Sequence, residues 1–199
     1  MAQDLILASS SEIRRKLLES AGLNPSVLPA RVDEEMVRDA LLKEEAAPRE
    51  IADTLAELKA RKISDKYPDA LVIGCDQVLT FEGSLLSKPV SPEEAIHQLE
   101  KMRGKRHVLL SAVVVCEAGK PVWRHVGSAG LMMRRFSDDF LKGYIERNWD
   151  SIRHSVGAYK LEEEGVRLFS QIQGDYFTIL GLPLLDLLSY LGVRGVIEQ

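Results

Sequence analysis

Residues 70–74 read Ala-Leu-Val-Ile-Gly, an apolar run without a polar face. Strands of this kind are covered on both faces, as in α/β proteins that have helices on each side of the sheet. Cys75, Asp76 and Gln77 follow at once, at the carboxyl end of the predicted strand, where open α/β sheets hold their ligands. A charged residue in that position needs a partner, because burying an unpaired charge is costly. The run therefore predicts an α/β sheet with Asp76 as a functional residue.

The remaining segments predict strands and helices around this sheet. Ser11 is a good N-cap for a helix over 12–21, with Arg14 as its third helical residue. The acidic triplet at 33–35 follows a second strand and is predicted to lie in a loop. Further strands are expected at 5–8, 27–32, 78–81, 84–86, 107–117, 122–133 and within 164–177, and further helices at 48–66, 91–103, 137–147 and 182–191.

Length and composition favour one domain and exclude several classes of protein. A chain of 199 residues buries one sizeable core, and 45% hydrophobic with 28% charged residues is ordinary for a folded protein. The net charge of −4 argues against nucleic acid as a partner, since such proteins carry a basic surplus. Cys75 and Cys116 are too few and too far apart for a disulfide framework. With no targeting segment and no membrane-spanning run, we predict a cytoplasmic protein that does not bind membranes.

Three groups of residues have the chemistry to bind a phosphorylated ligand. Hydroxyls of Ser9, Ser10 and Ser11 precede a helix N-terminus, which attracts anions, and Arg14 adds a bidentate phosphate donor. Taken alone, such a motif is more often an ordinary helix cap with a surface arginine.

Carboxylates and lysines form the other two groups. Asp76 and the acidic residues at 33–35 are suited to a hard cation such as Mg²⁺, although the triplet alone is also typical of a solvated loop. Lys59 and Lys88 can each neutralise a phosphate oxygen.

The order of these motifs resembles the Maf family of nucleotide pyrophosphatases. The opening Leu-Ile-Leu-Ala-Ser-Ser-Ser-x-x-Arg-Arg is similar to the start of that family. Later blocks follow in family order over essentially the whole chain: Val32-Asp33-Glu34, Leu55-Ala56-x-x-Lys59-Ala60, Ile73-Gly74-Cys75-Asp76-Gln77-Val78, Lys88-Pro89, Arg103-Gly104-x-x-His107, Gly157-Ala158-Tyr159 and Gly174-Asp175-Tyr176-Phe177.

This resemblance implies a fold, a reaction and a set of site residues. The expected fold is one Maf-like domain over 1–199, similar to the inosine triphosphate pyrophosphatases, with a mixed, elongated central sheet flanked by helices and a cleft between two lobes. The expected reaction cleaves a nucleoside triphosphate to its monophosphate and pyrophosphate with a divalent cation (Mg²⁺, Mn²⁺ or Co²⁺), in a homodimer. Asp76 matches the proton acceptor and a metal ligand, and Glu34 the second metal ligand. The expected phosphate-binding and charge-stabilising residues are Ser9, Arg14, Lys59 and Lys88.

The preferred base is less constrained by the resemblance. Gln77 and Glu162 resemble the branch that acts on 7-methyl-GTP, and a carboxylate at position 162 can accept hydrogen bonds from guanine. Ile13 departs from that branch, which has an aromatic residue at this position. The departure matters because an aliphatic side chain cannot stack on a cationic methylated base. We expect a purine or methylated-guanine substrate. The alternatives are hydrolysis of dTTP or UTP, release of single phosphates, and a non-catalytic nucleotide-binding regulator of cell division.

Overall fold

A computed structural model describes residues 4–198 of the chain. It contains seven strands in one sheet: β1 (Leu5–Leu7), β2 (Ser26–Val27), β3 (Leu71–Phe81), β4 (Ser84–Leu86), β5 (Arg106–Glu117), β6 (Lys120–Met133) and β7 (Phe169–Gln173). The helices are α1 (Glu12–Ser20), α2 (Glu34–Lys43), α3 (Pro48–Ser64), α4 (Pro92–Met102), α5 (Asp138–Ile152), α6 (Tyr176–Ile179) and α7 (Leu184–Val193). Short 3₁₀ turns cover Val156–Ala158 and Glu164–Leu168.

The sheet is mixed, as predicted. Its strand order is β2-β1-β3-β5-β6-β7, and β4 pairs with β3 off this path. β1 is parallel to β2 and β3, whereas β3 pairs antiparallel with β4 and β6 pairs antiparallel with β7. The α/β class with helices flanking a mixed sheet is therefore confirmed.

Contacts divide the described chain into two compact units. The first unit comprises 4–77, 111–127 and 181–198, and the second comprises 78–110 and 128–180. Within the first unit, the central strands and α3 contribute the fully buried residues Ile51, Leu55, Leu71 and Ile73. The second unit has its own core around Leu79, Leu99, Leu131, Tyr144 and Phe169. The predicted single domain over 1–199, with its cleft between two lobes, stays a prediction.

Several predicted boundaries differ from the structure. β3 does not stop at Gly74 but continues to Phe81, so Asp76 lies inside the strand and not after its end. The strand can continue through a carboxylate because Lys59 neutralises it. Glu34 is the first residue of α2, capped by Asp33, which corrects the predicted loop.

Two further segments are shorter or more helical than expected. The strand predicted at 27–32 is reduced to Ser26–Val27. Of 164–177, only Phe169–Gln173 is a strand, because a 3₁₀ turn precedes it and Asp175 caps the short helix α6 after it. None of the helices within 4–198 combines the length and apolar character needed to cross a lipid bilayer.

Candidate active site

The candidate site in the first unit depends on close contact between β3 and α3. Gly74 is buried in β3, two residues before Asp76. A Cβ atom at this position would lie 2.2 Å from the carbonyl oxygen of Ala56 and 2.6 Å from the amide nitrogen of Ala60. The backbone of α3 therefore lies directly on the strand at this point. Lys59, next to Ala60 on the helix, is carried to Asp76 by this contact.

Lys59 joins two carboxylates from different elements. Its ammonium nitrogen lies 2.7 Å from Oδ1 of Asp76 and 2.9 Å from Oε1 of Glu34. Lys59 is 7% exposed and Asp76 5% exposed, whereas the Glu34 side chain is about one-third exposed. The cluster of Lys59, Asp76 and Glu34, which we call the charge triad, thus has a buried end and a solvent-facing end.

One oxygen of Asp76 has no hydrogen-bond partner within the described residues. This atom, Oδ2, is fully buried. Burial raises the pKa of Asp76; the charge and hydrogen bond of Lys59 and the charge of Arg14 lower it, and the charge of Glu34 raises it further. A buried carboxylate with a raised pKa and an unpaired oxygen is suited to accept a proton or to bind a cation.

The neighbouring thiol is not a reactive group. Burial raises the pKa of Cys75 to about 11, so the thiol stays protonated near neutral pH. Nucleophilic and metal-binding cysteines are instead thiolates. Chemistry at this position therefore depends on Asp76 and not on Cys75.

The serine motif has the predicted cap and a further role. Ser11 is the N-cap of α1 and accepts from the amide of Arg14. Ser9 is buried, and its Oγ accepts from the amide of Ser11 (3.2 Å) and from Nη1 of Arg14 (3.3 Å). Because a hydroxyl also has one donor, the Ser9 O–H can donate to a bound oxyanion beside the N-terminus of α1.

Arg14 binds backbone carbonyls from two distant parts of the chain. Its Nε donates to the carbonyl of Gly181 (2.8 Å), and its Nη1 donates to that of Cys75 (3.1 Å). Gly181 has a φ of +93°, and a Cβ atom there would lie 2.9 Å from Nη2 of Arg14. Sequence reasoning missed both carbonyl partners, and backbone acceptors leave no mark in side-chain patterns. These bonds use Nε and Nη1, so within the described residues Nη2 is the guanidinium nitrogen of Arg14 that donates no hydrogen bond.

Four of the predicted site residues belong neither to the charge triad nor to the hydrogen bonds of Ser9 and Arg14. Gln77 follows Asp76 in the strand, so its side chain points to the opposite face of the sheet, where its Nε2 donates to Ser111 (2.9 Å). Ile13 is half-buried on α1. Lys88 and Glu162 are exposed residues of the second unit, and their expected roles stay predictions.

The donor set can be tested against the divalent cation that the fold implies. No group of three or more His, Cys, Asp or Glu side chains in residues 4–198 could hold a metal ion. Asp76 with its unpaired oxygen and Glu34 supply two carboxylates. Mg²⁺ usually takes one or two carboxylates and completes its shell with water and substrate phosphates. The residues therefore fit a cation that arrives with a phosphorylated ligand, and not one held by the protein alone.

Comparison with known proteins gives relatives that match nearly the whole chain. The sequence model of the family described as Maf-like protein matches residues 4–193. A protein of Roseobacter denitrificans named nucleoside triphosphate pyrophosphatase is 67% identical over 98% of both chains. Proteins of the same name from Ruegeria pomeroyi and Caulobacter vibrioides are 63% identical over all of both chains and 50% identical over 96% of both chains.

Proposed function

The chain belongs to the Maf family, and we propose on this basis that it is a metal-dependent nucleoside triphosphate pyrophosphatase. Relatives that cover nearly its whole length carry the name of this activity. The proposed reaction converts a nucleoside triphosphate and water into a nucleoside monophosphate and pyrophosphate.

The observation that carries the proposal is the unpaired Oδ2 of Asp76 beside Lys59. A water molecule attacks the α-phosphorus, and its proton passes to this oxygen. A new bond forms between phosphorus and the water oxygen, while the bond from the α-phosphorus to the α,β-bridging oxygen breaks. Pyrophosphate leaves with the electron pair of that bond. The raised pKa of Asp76 favours this proton transfer, because a general base works best when its pKa lies closer to the pH at which the enzyme operates.

The cationic groups of the first unit offset the charge of the triphosphate. Lys59 hydrogen-bonds Oδ1 of Asp76, so the other oxygen, Oδ2, is the one left to accept the proton. Ser9, the N-terminus of α1 and Nη2 of Arg14 supply donors for phosphate oxygens. Catalysis of phosphoryl transfer consists largely of such positioning and charge stabilisation.

A divalent cation, Mg²⁺, Mn²⁺ or Co²⁺, would be held by Asp76 and Glu34. When bound, it would neutralise phosphate charge and lower the pKa of a coordinated water. Removal of divalent cations with a chelator is expected to abolish turnover. We expect Glu34→Gln to have a low rate, and recovery of that rate on addition of Mg²⁺ would support Glu34 as a metal ligand.

For the base, we propose a purine nucleotide, with 7-methyl-GTP as the first candidate. The support is chemical: a carboxylate at Glu162 can accept from guanine N1–H and from its exocyclic amine, which uracil and thymine cannot match. The competing candidates are dTTP and UTP. Measuring kcat/KM for ordinary and modified triphosphates separates them, and a strong preference for dTTP or UTP would reject the purine proposal.

The product distinguishes the reaction classes. We expect pyrophosphate and not orthophosphate, and we expect Asp76→Asn to keep the fold while its rate falls by about a thousandfold. Asp150→Asn, on the exposed face of α5, is the matched control and should retain full rate. Full rate in Asp76→Asn would remove Asp76 as the proton acceptor.

A non-catalytic regulator of cell division is the second candidate function. It would bind nucleoside triphosphates without releasing pyrophosphate, whatever the metal. The retained charge triad favours turnover over binding alone. We also propose a cytoplasmic homodimer, for which light scattering of the purified chain gives the oligomeric state directly.

A further inference from the structure

A pocket in the second unit has no part in the proposed reaction. It has a volume of about 410 Å³ and is lined by Gly104, Met132, Met133, Arg134, Arg135 and Ser170. It is a shallow surface depression that is open to solvent and not an enclosed cavity. The lining residues contain two cationic side chains and no acidic one.

The side chains of the two arginines differ from two basic neighbours in having no ion-pair or hydrogen-bond partner among residues 4–198. Arg103 pairs with Asp138 at 2.7 Å, and Arg106 donates to Gln173 at 2.6 Å. Within residues 4–198, the exposed side chains of Arg134 and Arg135 form no ion pair. Their charge is therefore not neutralised by the protein, although the whole chain is acidic with a net charge of −4.

The backbone around the pocket is shaped to hold Arg135 close. Gly104 has a φ of +70°, and a Cβ atom at this position would lie 3.0 Å from Cγ of Arg135. The amide of Gly104 donates to the carbonyl of Arg134 at 3.2 Å. Because Gly104 has no side chain, the aliphatic part of Arg135 can pack on the backbone at Gly104. This packing already restricts Arg135, so its side chain loses less conformational entropy when a ligand binds.

A β-bulge forms the other wall of the pocket. The register between β6 and β7 shifts between Met132 and Met133, directly before the two arginines. The hydroxyl of Ser170 donates to the carbonyl of Met132 across this irregularity (3.3 Å). Bulges redirect the side chains that follow them and are frequent beside functional sites.

We propose that this pocket is a binding site for a small phosphate-bearing anion. Arg134 and Arg135 are consecutive residues that both line the pocket. Each guanidinium can supply a planar pair of donors that matches phosphate oxygens, and a dianion or a more highly charged anion would neutralise both charges. The half-buried Met132 adds an apolar surface beside the charges, which a nucleoside could cover. The site is built entirely from the second unit, and it does not depend on the reaction proposed for the charge triad.

Backbone amide NMR tests the site residue by residue. Orthophosphate, pyrophosphate and a nucleoside monophosphate are each titrated at constant ionic strength, without divalent cations, while the amides of Gly104, Arg135 and Ser170 are followed. We expect saturable shifts for at least one of the three anions, with a Kd on the order of 1 mM or below. The anion that saturates the pocket at the lowest concentration identifies which of the three sources it accepts.

Matched variants separate the pocket from general charge attraction. Arg134→Gln and Arg135→Gln should each weaken binding about tenfold, since each removes one charge-assisted donor. Arg153→Gln removes one exposed charge from the same unit outside the pocket and should leave the Kd unchanged. Shifts that do not saturate, that sodium chloride reproduces, or that persist in the double variant Arg134→Gln/Arg135→Gln would overturn the proposal.

Discussion

The ammonium nitrogen of Lys59 lies 2.7 Å from Oδ1 of Asp76, and both side chains are almost wholly buried. In a buried pair each charge is stabilised by the other, and loss of one partner would leave the second charge buried and uncompensated. Glu34 adds a second carboxylate at 2.9 Å, so the charge triad carries one positive and two negative charges when both acids are ionised. The excess negative charge is what a cation or a proton would compensate.

Removing the ammonium should affect both stability and rate. In Lys59→Met, Asp76 loses its partner, and we expect a loss of about 3 kcal/mol in the free energy of unfolding. The rate of pyrophosphate release should fall about a hundredfold. Urea unfolding and a pyrophosphate assay measure the two effects.

A double-mutant cycle isolates the interaction. Asp76→Asn combined with Lys59→Met should be less destabilised than the sum of the single changes, since no unpaired charge is left. Lys62→Met, an exposed change on the same helix, serves as the control. Additive losses would show that the two residues do not stabilise each other.

Arg14→Lys should be poorly tolerated although it preserves the charge. The guanidinium binds Gly181, Cys75 and Ser9 at once, and an ammonium cannot reproduce this planar fork. We expect a lower melting temperature and a rise in KM for the triphosphate. Arg15→Lys, in an exposed pair with Glu19, should change neither quantity. Equal behaviour of the two variants would contradict a special role for the three hydrogen bonds of the Arg14 guanidinium.

Gly74→Ala should be among the most destabilising single changes in the chain. The added methyl would collide with the backbone of α3 at Ala56 and Ala60, which cannot move aside as a side chain can. We expect a loss of more than about 3 kcal/mol, or no folded protein. Gly83→Ala is the contrasting case, because its Cβ would meet open space and its φ of +82° costs only about 1 kcal/mol. Thermal unfolding of both variants measures the difference.

His107 should make the protein sensitive to mild acid. It is 1% exposed, its Nε2 lies 2.7 Å from the hydroxyl of Tyr159, and burial lowers its pKa from 6.5 to about 4. The unfolded chain therefore takes up a proton below pH 6.5 while the folded chain does not. Stability is lost as the pH falls from about 6.5 to about 4, by at most about 3 kcal/mol from this residue.

Comparison with a neutral replacement tests this source of acid sensitivity. His107→Gln keeps a hydrogen-bonding side chain and cannot be protonated. We expect its unfolding free energy to decline less between pH 6.5 and 4 than that of the wild type, whereas the exposed His97→Gln should follow the wild type. Parallel curves for His107→Gln and the wild type would show that His107 is not the group responsible.

Ile13 offers a test of the base preference. A Trp at this position can stack on a methylated, positively charged guanine, which Ile cannot do. If Ile13 faces the base, Ile13→Trp should raise kcat/KM for 7-methyl-GTP relative to GTP several-fold, by about 1 kcal/mol of cation–π interaction. Ile13→Leu controls for a change in shape alone. An unchanged ratio in the Trp variant would place residue 13 away from the base.

The sequence predicted the elements with strong local signals. Ser11 caps α1 as expected, and Ser91 and Ser137 cap the helices that they precede. The apolar run identified the first part of β3, because continuous burial leaves a clear pattern. The turn signal at 118–121 identified the strands on either side of it, β5 and β6. Asp76 was singled out by its position after the apolar run and Lys59 by its charge, and the family resemblance then assigned their roles. In the structure the two side chains form one ion pair.

Elements that depend on tertiary partners were harder to predict. A carboxylate inside a buried strand is unfavourable unless a distant cation neutralises it, so local reasoning ended the strand before Asp76. Glu34 was assigned to a loop because the acidic triplet follows a predicted strand and is typical of solvated loops, yet helix α2 begins there under the Asp33 cap. Partners such as the carbonyl of Gly181, 167 positions from Arg14, have no local signature at all.

The absence of a side chain at Gly74 has a consequence for heat inactivation. The contact between β3 and α3 at Gly74 is made by backbone atoms of Ala56 and Ala60 and by the Cβ of Ala60. Because no long side chain takes part in it, we expect Lys59 and Asp76 to keep their separation while side chains elsewhere in the core loosen. Warming should therefore reduce turnover only when the helix detaches from the strand, so that the inactivation midpoint coincides with the melting of α3.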